Sequence, residues 1–574
     1  MLISGGRTGV AVSALAAFAL LASGCTGSGG GGGAAGDRNG GSAAAPNQIN
    51  PVAYDKVASG GVLHYPLNQP IANFNSYELN GNNVNTAAIV GPMLPSLFTI
   101  DGKDAFRFNA NYLTGEPKVT TAPAQTMTYE INPKAKWSDG TPISYKDFIS
   151  QWQALNGSDP NYTLQLSAAY SRIASVARGA TDQEVVVTLK PGVVDADWRG
   201  LFSPLYPLSA TDTPDAFNSG WKSKPLVSGG PFMFGSSTPT SYTLVRNPQW
   251  WGRAPKLSSV EFDVINTLPE TVAALTAHKI DVQDVGQDVD TYDQVKGVAG
   301  ISVRTAGGPD YRAVTFNGAR PDLSDVKVRQ AISLGIDRAA IAQAELRPLG
   351  ITNPVPPNDH IFQVNQVGYQ DNAGGLGNYN PTQAKQMLDA AGWVDDPATH
   401  TRTKSGKKLT LSFVVPDGVA LSLSEAQLVQ QQLAKIDVGV TIKKVNLSNF
   451  LNGYVHPGNY DLTVFSWLGD SFPISSASTI YESVQPGNDW QENYSRVSVP
   501  QVTTLFKQAE ANLDQAAANA AANQADALIW QNAMSLPLYQ RPDVWAVNSK
   551  VANFGAFGFA TIDWTAVGFT STSS

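Results

Sequence analysis

His64, His278, His360, His400 and His456 are the only imidazoles in 574 residues, and Cys25 is the single thiol. Metal sites and nucleophilic triads are built from such side chains at short, regular spacings. Those spacings are missing: no HExxH or HxH pairs the histidines for a metal, and there is no GxSxG elbow or phosphate-binding P-loop. The cluster GGLG at residues 374–377 has the composition of a turn. Asp and Glu together number 47, so any two could be nominated as an acid–base pair and their abundance selects none. The residue types therefore point away from catalysis, and no catalytic residue, metal ligand or cofactor is read from them.

The thiol has a context of its own. Arg7 is the only charge ahead of an apolar run, VAVSALAAFALL at residues 10–21. A bilayer span takes about 20 apolar residues, so this run is too short to cross and fits the hydrophobic region of a secretory signal. Ala22, Ser23 and Gly24 then lead into Cys25. The stretch resembles the bacterial lipobox, in which the cysteine takes diacylglycerol and becomes the first mature residue. Ala22 stands where that motif usually has leucine. A plain signal peptide would instead leave an exported chain with one unpaired thiol, and a lone cysteine excludes an internal disulfide framework. Residues 1–25 are thus read as signal and lipobox. Residues 26–59, dominated at first by Gly, Ala and Ser, are read as a flexible tether. One acyl chain binds a membrane marginally, whereas two or three hold firmly.

Some elements must position whatever the remaining ~525 residues do, and that length exceeds one hydrophobic core. Net charge is −8 and no basic run occurs, so nucleic acid has no electrostatic footprint to bind. No later segment approaches a membrane span, and no period of 20–50 residues indicates a repeat array. Instead the chain carries strand–turn–helix modules. In PAQTMTYEINPKAKWSDGTPISYKDFISQWQAL, residues 127–131 alternate as a strand and Asp139-Gly140 marks a turn. Ser144 is placed to cap a helix, with Asp147 as the acidic partner of a capping box, and Phe148, Trp152 and Leu155 follow at helical spacing. In YNPTQAKQMLDAAGW, Asn380 caps, Pro381 takes the first helical position, and Ala384, Met387, Leu388 and Ala391 form the apolar stripe before Gly392. Trp250 and Trp251 read as core. Arg329, Asp337 and Arg338 read as one helix with surface or ion-pair roles.

WSDGTPISYKDF at residues 137–148 resembles the signature of the family 5 extracellular solute-binding proteins, the oligopeptide and dipeptide receptors of ABC importers. Six further segments resemble that family in the same order. They are GGVL at 60–63, SGGPFMFGSSTPTSYTLVRNPQWWG at 228–252, VKVRQAISLGIDRAAI at 326–341, YNPTQAKQMLDAAGW at 379–393, YDLTVFSWLGD at 460–470 and MSLPLYQRPDVWAV at 534–547. Seven blocks in order over about 500 residues make the resemblance specific. Composition and glycine tract most resemble its actinobacterial and mycobacterial oligopeptide-binding lipoproteins.

The resemblance implies an α/β, two-lobed periplasmic-binding-protein fold of type II (the large cluster C form) with an extra subdomain. Lobe I would comprise residues 60–92, 205–307 and 537–574, the extra subdomain 93–204, and lobe II 308–536. Two crossing strands, at 310–318 and 536–547, would join lobes that close on a ligand. It further implies that Asp470 pairs with the α-amino group of a bound peptide, that the backbone at Ser466 and Leu468 pairs with an extended peptide, and that Trp467 stacks on it. Read without the family, Asp470 after Gly469 is an Asx turn; with it, Trp467 divides about evenly between core and cleft. From lobe I, Leu79 and Asn80 fall where the family's first loop touches peptide. The implied partners are an oligopeptide, the permease and ATPase subunits of an importer, and the membrane through a lipid on Cys25, with the receptor a monomer on the extracytoplasmic (periplasmic) side of the cell membrane. Two alternatives stand beside this: the same transport role for glutathione, an oligosaccharide or a metal chelate, and a surface hydrolase using a cleft carboxylate pair, which would need two carboxyls about 5–9 Å apart.

Overall fold

Alternating apolar residues build the strands, and capped amphipathic segments build the helices between them. A computed structural model describes residues 47–164, 168–484 and 490–570. Cys25, its lipobox and the tether up to residue 46 lie outside the described residues. The described chain parts into two compact units: residues 47–306 with 542–570, and Gly307–Arg541. Two strands, Ile301–Phe316 and Ser535–Asn548, each begin in one unit and end in the other.

The first unit contains a four-stranded sheet in the order Val62–Leu67, Ser259–Val264, Ser241–Arg246, Phe232–Thr238. Its first pair is parallel and the others antiparallel. Leu63, Leu67, Val260 and Phe262 are fully covered on one face. A second, antiparallel four-stranded sheet runs in the order Lys118–Thr120, Thr126–Glu130, Glu184–Leu189, Ile173–Arg178. The expected strand–turn–helix module is part of it. Gly140 turns the chain in the left-handed region at φ +90°, which glycine adopts without strain. Helix Tyr145–Leu155 then starts on a reciprocal capping box: Ser144 Oγ accepts the N–H of Lys146, and Asp147 Oδ2 accepts the N–H of Ser144 at 2.9 Å. Asp147 does more than cap. Its Oδ1 also accepts Trp137 Nε1–H at 3.2 Å and the Leu208 N–H at 2.9 Å, which ties turn, helix and loop together.

In the second unit the strands run Ile301–Phe316, Leu462–Trp467, Thr410–Pro416, Gly439–Val445, antiparallel at the first pair and parallel afterwards. Helices Pro500–Glu510 and Gln515–Gln531 close a separate core with Phe362, Val502, Phe506, Ala522, Ile529 and Met534. Helix Pro381–Ala390 begins at Asn380, whose side chain accepts the Gln383 N–H, and buries Ala384 and Leu388. Met387 is only partly covered.

Two expectations are corrected. Arg329 and Arg338 do not share a helix and are not surface groups. The chain breaks between Val326–Gly335 and Arg338–Leu346, with Asp337 capping the second helix. Both arginines are buried, and their guanidinium donors go mainly to backbone carbonyls: Arg329 to Leu323, Ser324, Asn532 and Ala533, and Arg338 to Pro357, Gly377 and Pro537. A planar fork with five donors satisfies several loop and helix-end carbonyls at once. Burial pushes both guanidinium pKa values down to about 10. Trp250 and Trp251 are half-buried rather than core. They pack together at 4.7 Å beside Tyr112, and their indole N–H groups donate to the Arg253 and Asn111 carbonyls.

Candidate ligand-binding site

Strand Leu462–Trp467 runs into a turn at 468–472 and then into helix Pro473–Tyr481. Phe472, at the helix N-cap, offers no side-chain cap. Asp470 takes that role from two residues earlier. Its Oδ1 accepts the Phe472 N–H at 2.7 Å and its Oδ2 accepts Ser476 Oγ–H at 2.8 Å. A carboxylate suits the positive end of a helix, and Pro473 needs no partner at the first helical position. Asp470 therefore does make the local Asx-type turn.

The turn is held from beneath. The Gly469 N–H donates to Asp310 Oδ1 at 3.1 Å, and a Cβ at 469 would lie 2.2 Å from the Pro309 carbonyl oxygen, so only glycine permits this approach. Asp310 Oδ2 pairs with Arg541 Nη1 at 3.2 Å. Ser466 stands opposite Arg312 in the strand pairing, and its Oγ accepts from Arg312 Nη1 at 3.3 Å. Arg312 is in turn clamped by Glu425, through Nε–H to Oε1 at 3.0 Å and Nη2–H to Oε2, while Tyr539 O–H donates to the same Oε1 at 2.6 Å. Glu425 is fully covered.

Trp467 stands opposite Tyr311 and stacks on Tyr494, with ring centres 5.6 Å apart and 16° between planes. Phe465 meets it edge-on at 5.1 Å. One face of the indole is thus packed against the unit's own aromatics, the ring as a whole is half-buried, and its buried N–H has no hydrogen-bond partner among the described residues. Leu468 beside it is 58% exposed.

Burial pushes the Asp470 carboxyl above the usual carboxylate range, against the lowering effect of Ser476 and Phe472. Burial likewise raises Asp310, with Arg541 and the Gly469 N–H opposing. An ionised carboxylate accepts about four hydrogen bonds, and among the described residues Asp470 has one bond to each oxygen. It retains acceptor capacity for a further donor such as an ammonium.

Asp470, Trp467, Ser466 and Leu468 are brought together as one edge of the second unit. Leu79 and Asn80 belong to the first. There Glu78, which is buried, accepts the Asn80 N–H at 2.8 Å and Asn80 Nδ2–H at 3.0 Å, while the Leu79 N–H donates to the Thr163 carbonyl. Leu79 itself is 50% exposed. Sequence reasoning missed Asp310, Arg312, Glu425, Tyr539 and Arg541. Four of them lie in segments singled out as crossing strands, but Glu425 is 113 residues from Arg312 and no local pattern names it. Among the described residues, His64, Glu261 and Asp263 have ligand atoms within 4.8 Å of one another, a grouping that a search for paired histidines does not see. No helix among the described residues is long and apolar enough to cross a membrane.

Residues 114–489 match the family model of the bacterial extracellular solute-binding proteins, family 5 middle region. The chain is 40% identical over 566 residues to the oligopeptide-binding protein OppA of Mycobacterium tuberculosis, covering 96% of this chain and 92% of that one. It is 27% identical over 523 residues to the oligopeptide-binding protein OppA of Lactococcus lactis subsp. lactis, covering 81% and 82%. Its structure resembles that of the periplasmic EDTA-binding protein EppA with a TM-score of 0.77 at 25% identity, covering 92% and 98%.

Proposed function

This chain belongs to family 5 of the bacterial extracellular solute-binding proteins, and from that membership we propose that it captures oligopeptides and delivers them to the permease and ATPase subunits of an ABC importer. It has the two-lobed α/β fold of such proteins and is a binding protein, not an enzyme. The observation that carries the peptide reading is the 40% identity, over 96% of the chain, to an oligopeptide-binding protein.

In this reading Asp470 receives the peptide ammonium. Its position at a turn fixed by Phe472, Ser476 and Asp310 supports the role, because the carboxylate is oriented before a ligand arrives. The backbone at Ser466 and Leu468 pairs with the extended peptide as an added strand, and Trp467 stacks on it. The first unit's proposed contacts with the ligand are Leu79 and Asn80. Acylated Cys25 and the glycine-rich tether hold the receptor on the extracytoplasmic face of the cell membrane, as a monomer, beside its permease. The strands Ile301–Phe316 and Ser535–Asn548 act as the hinge, and residues 93–204 form the extra subdomain. A second reading, a non-peptide solute such as a metal chelate, draws support from the likeness to an EDTA-binding protein.

Native mass spectrometry of the protein, purified without denaturation, tests the reading. A ladder of short peptides is expected, released from the wild type and lost from Asp470→Ala. Charged hydrogen bonds contribute about 1.5–3 kcal/mol, so affinity for a free-amine peptide should fall roughly 10- to 150-fold. One defined non-peptide mass would reject the peptide ligand in favour of the second reading.

A further inference from the structure

We propose that the first unit carries a divalent transition-metal site of zinc type, built from His64, Glu261 and Asp263. The three come from two parallel strands whose pairing places His64 directly opposite Glu261. Side chains two apart on a strand share a face, so Asp263 projects beside Glu261. On the opposite face the same strands bury Leu63, Leu67, Val260 and Phe262. The backbone that forms the core therefore also fixes the three polar side chains, which are each about one-third exposed.

The distances fit a metal. His64 Nδ1 lies 3.1 Å from Asp263 Oδ2 and 4.0 Å from Glu261 Oε2, and all the ligand atoms fall within 4.8 Å of one another. Zinc bound at about 2.0–2.2 Å to imidazole nitrogen and carboxylate oxygen keeps adjacent ligand atoms roughly 3–3.5 Å apart. Glu261 would have to draw in towards His64 as the metal binds. One imidazole with two carboxylates is a borderline donor set: the nitrogen favours zinc, iron or nickel over calcium and magnesium, and the remaining positions stay open to water.

The charge balance points the same way. A third carboxylate, Asp281, is buried against His64, accepting its backbone N–H at 2.9 Å through Oδ2, and it bonds Asn548 through Oδ1. Two carboxylates thus crowd one imidazole, and a third accepts the backbone N–H of the same residue. A bound dication would relieve this repulsion and staple strand Val62–Leu67 to strand Ser259–Val264, which are about 200 residues apart in sequence.

Calorimetric titration of the full chain with zinc chloride, in a non-coordinating buffer, tests the site. One zinc per chain is expected, with affinity reduced roughly tenfold or more in His64→Gln and in Asp263→Asn, and with melting temperature raised by zinc in the wild type alone. Cobalt(II) provides a second readout that does not depend on variants: d–d bands of a nitrogen–oxygen site without thiolate charge transfer. Absence of zinc binding, unchanged affinity in both folded variants, or a thiolate band from Cys25 would each overturn the proposal. If either variant fails to fold, Glu261→Gln decides by the same measure.

Discussion

Replacing Glu425 by leucine should open the strand that carries the candidate site. The Glu425 side chain is 0% exposed and that of Arg312 6%. Arg312 is held by the bidentate contact with Glu425, by Ser422 Oγ at 3.0 Å and by Ser466 Oγ at 3.3 Å, and Glu425 also accepts the Tyr539 hydroxyl. Two unit charges about 4 Å apart attract by about 4 kcal/mol at an effective dielectric constant near 20. Removing one partner leaves a guanidinium buried without its counter-charge, which costs about 3–5 kcal/mol. The orphaned Tyr539 hydroxyl acts in the same direction. Replacing both partners, Arg312→Met with Glu425→Leu, removes the stranded charge and should recover most of the loss, because a buried pair and a well-packed apolar pair are often close in energy. Hydrogen exchange of the amides in Leu462–Trp467, read by mass spectrometry, reports this opening locally. It avoids treating a chain with two compact units as a single two-state unfolder. Exchange should quicken roughly a hundredfold or more in Glu425→Leu and return most of the way in the double variant. Less than tenfold acceleration in the single variant would refute the reasoning, and so would a double variant as open as the single.

Two further outcomes concern acidity. Burial pushes the Asp147 carboxyl up to about 6 although it accepts three hydrogen bonds. A carboxyl raised in the folded state binds its proton more tightly there than in the unfolded chain. Its contribution is therefore present at low pH and lost as pH rises from about 4 to about 6, by about 3 kcal/mol in total. Subtracting the pH profile of stability of Asp147→Asn from that of the wild type should expose this downward slope; an upward difference over that interval would contradict the assignment. For Asp470 the direction is likewise upward, while an ammonium ligand favours the ionised form. Peptide affinity measured by calorimetry should therefore weaken on acidification below the raised pKa and level off above it. Asp470→Asn should bind weakly with little pH dependence, and affinity that strengthens on acidification would refute the ion pair.

What was legible in the sequence was what neighbours in sequence decide. Ser144 and Asp147 are three residues apart, and the capping box they form follows from that spacing alone. Asn380, Pro381 and Gly392 delimit their helix for the same reason, with Gly392 at φ +84°. The two-lobed α/β class was legible because seven blocks in order resemble one family. What failed depends on partners far along the chain. Arg329 and Arg338 look like surface charges in a helical pattern, yet their acceptors include carbonyls about 200 residues away. Trp250 and Trp251 look like core, yet the strand end they follow leaves them at the margin, where both indole N–H groups find carbonyls. The grouping of His64 with Glu261 and Asp263 depends on one parallel strand pairing that no spacing rule could supply.

Asp470 shows why a local reading and a ligand reading need not compete. As an Asx turn it accepts Phe472 and Ser476 and starts a helix. Those two bonds orient the carboxyl plane without exhausting its acceptor capacity. The chain around it is braced twice more, by Asp310 under Gly469 and by Arg312 under Ser466. A carboxylate free to rotate would lose that freedom on meeting an ammonium, and affinity would fall accordingly. One already held by its own turn loses little. The turn chemistry that makes Asp470 look structural is therefore what equips it to receive a charged ligand, and the buried pair of Arg312 and Glu425 serves the site by keeping that edge in place.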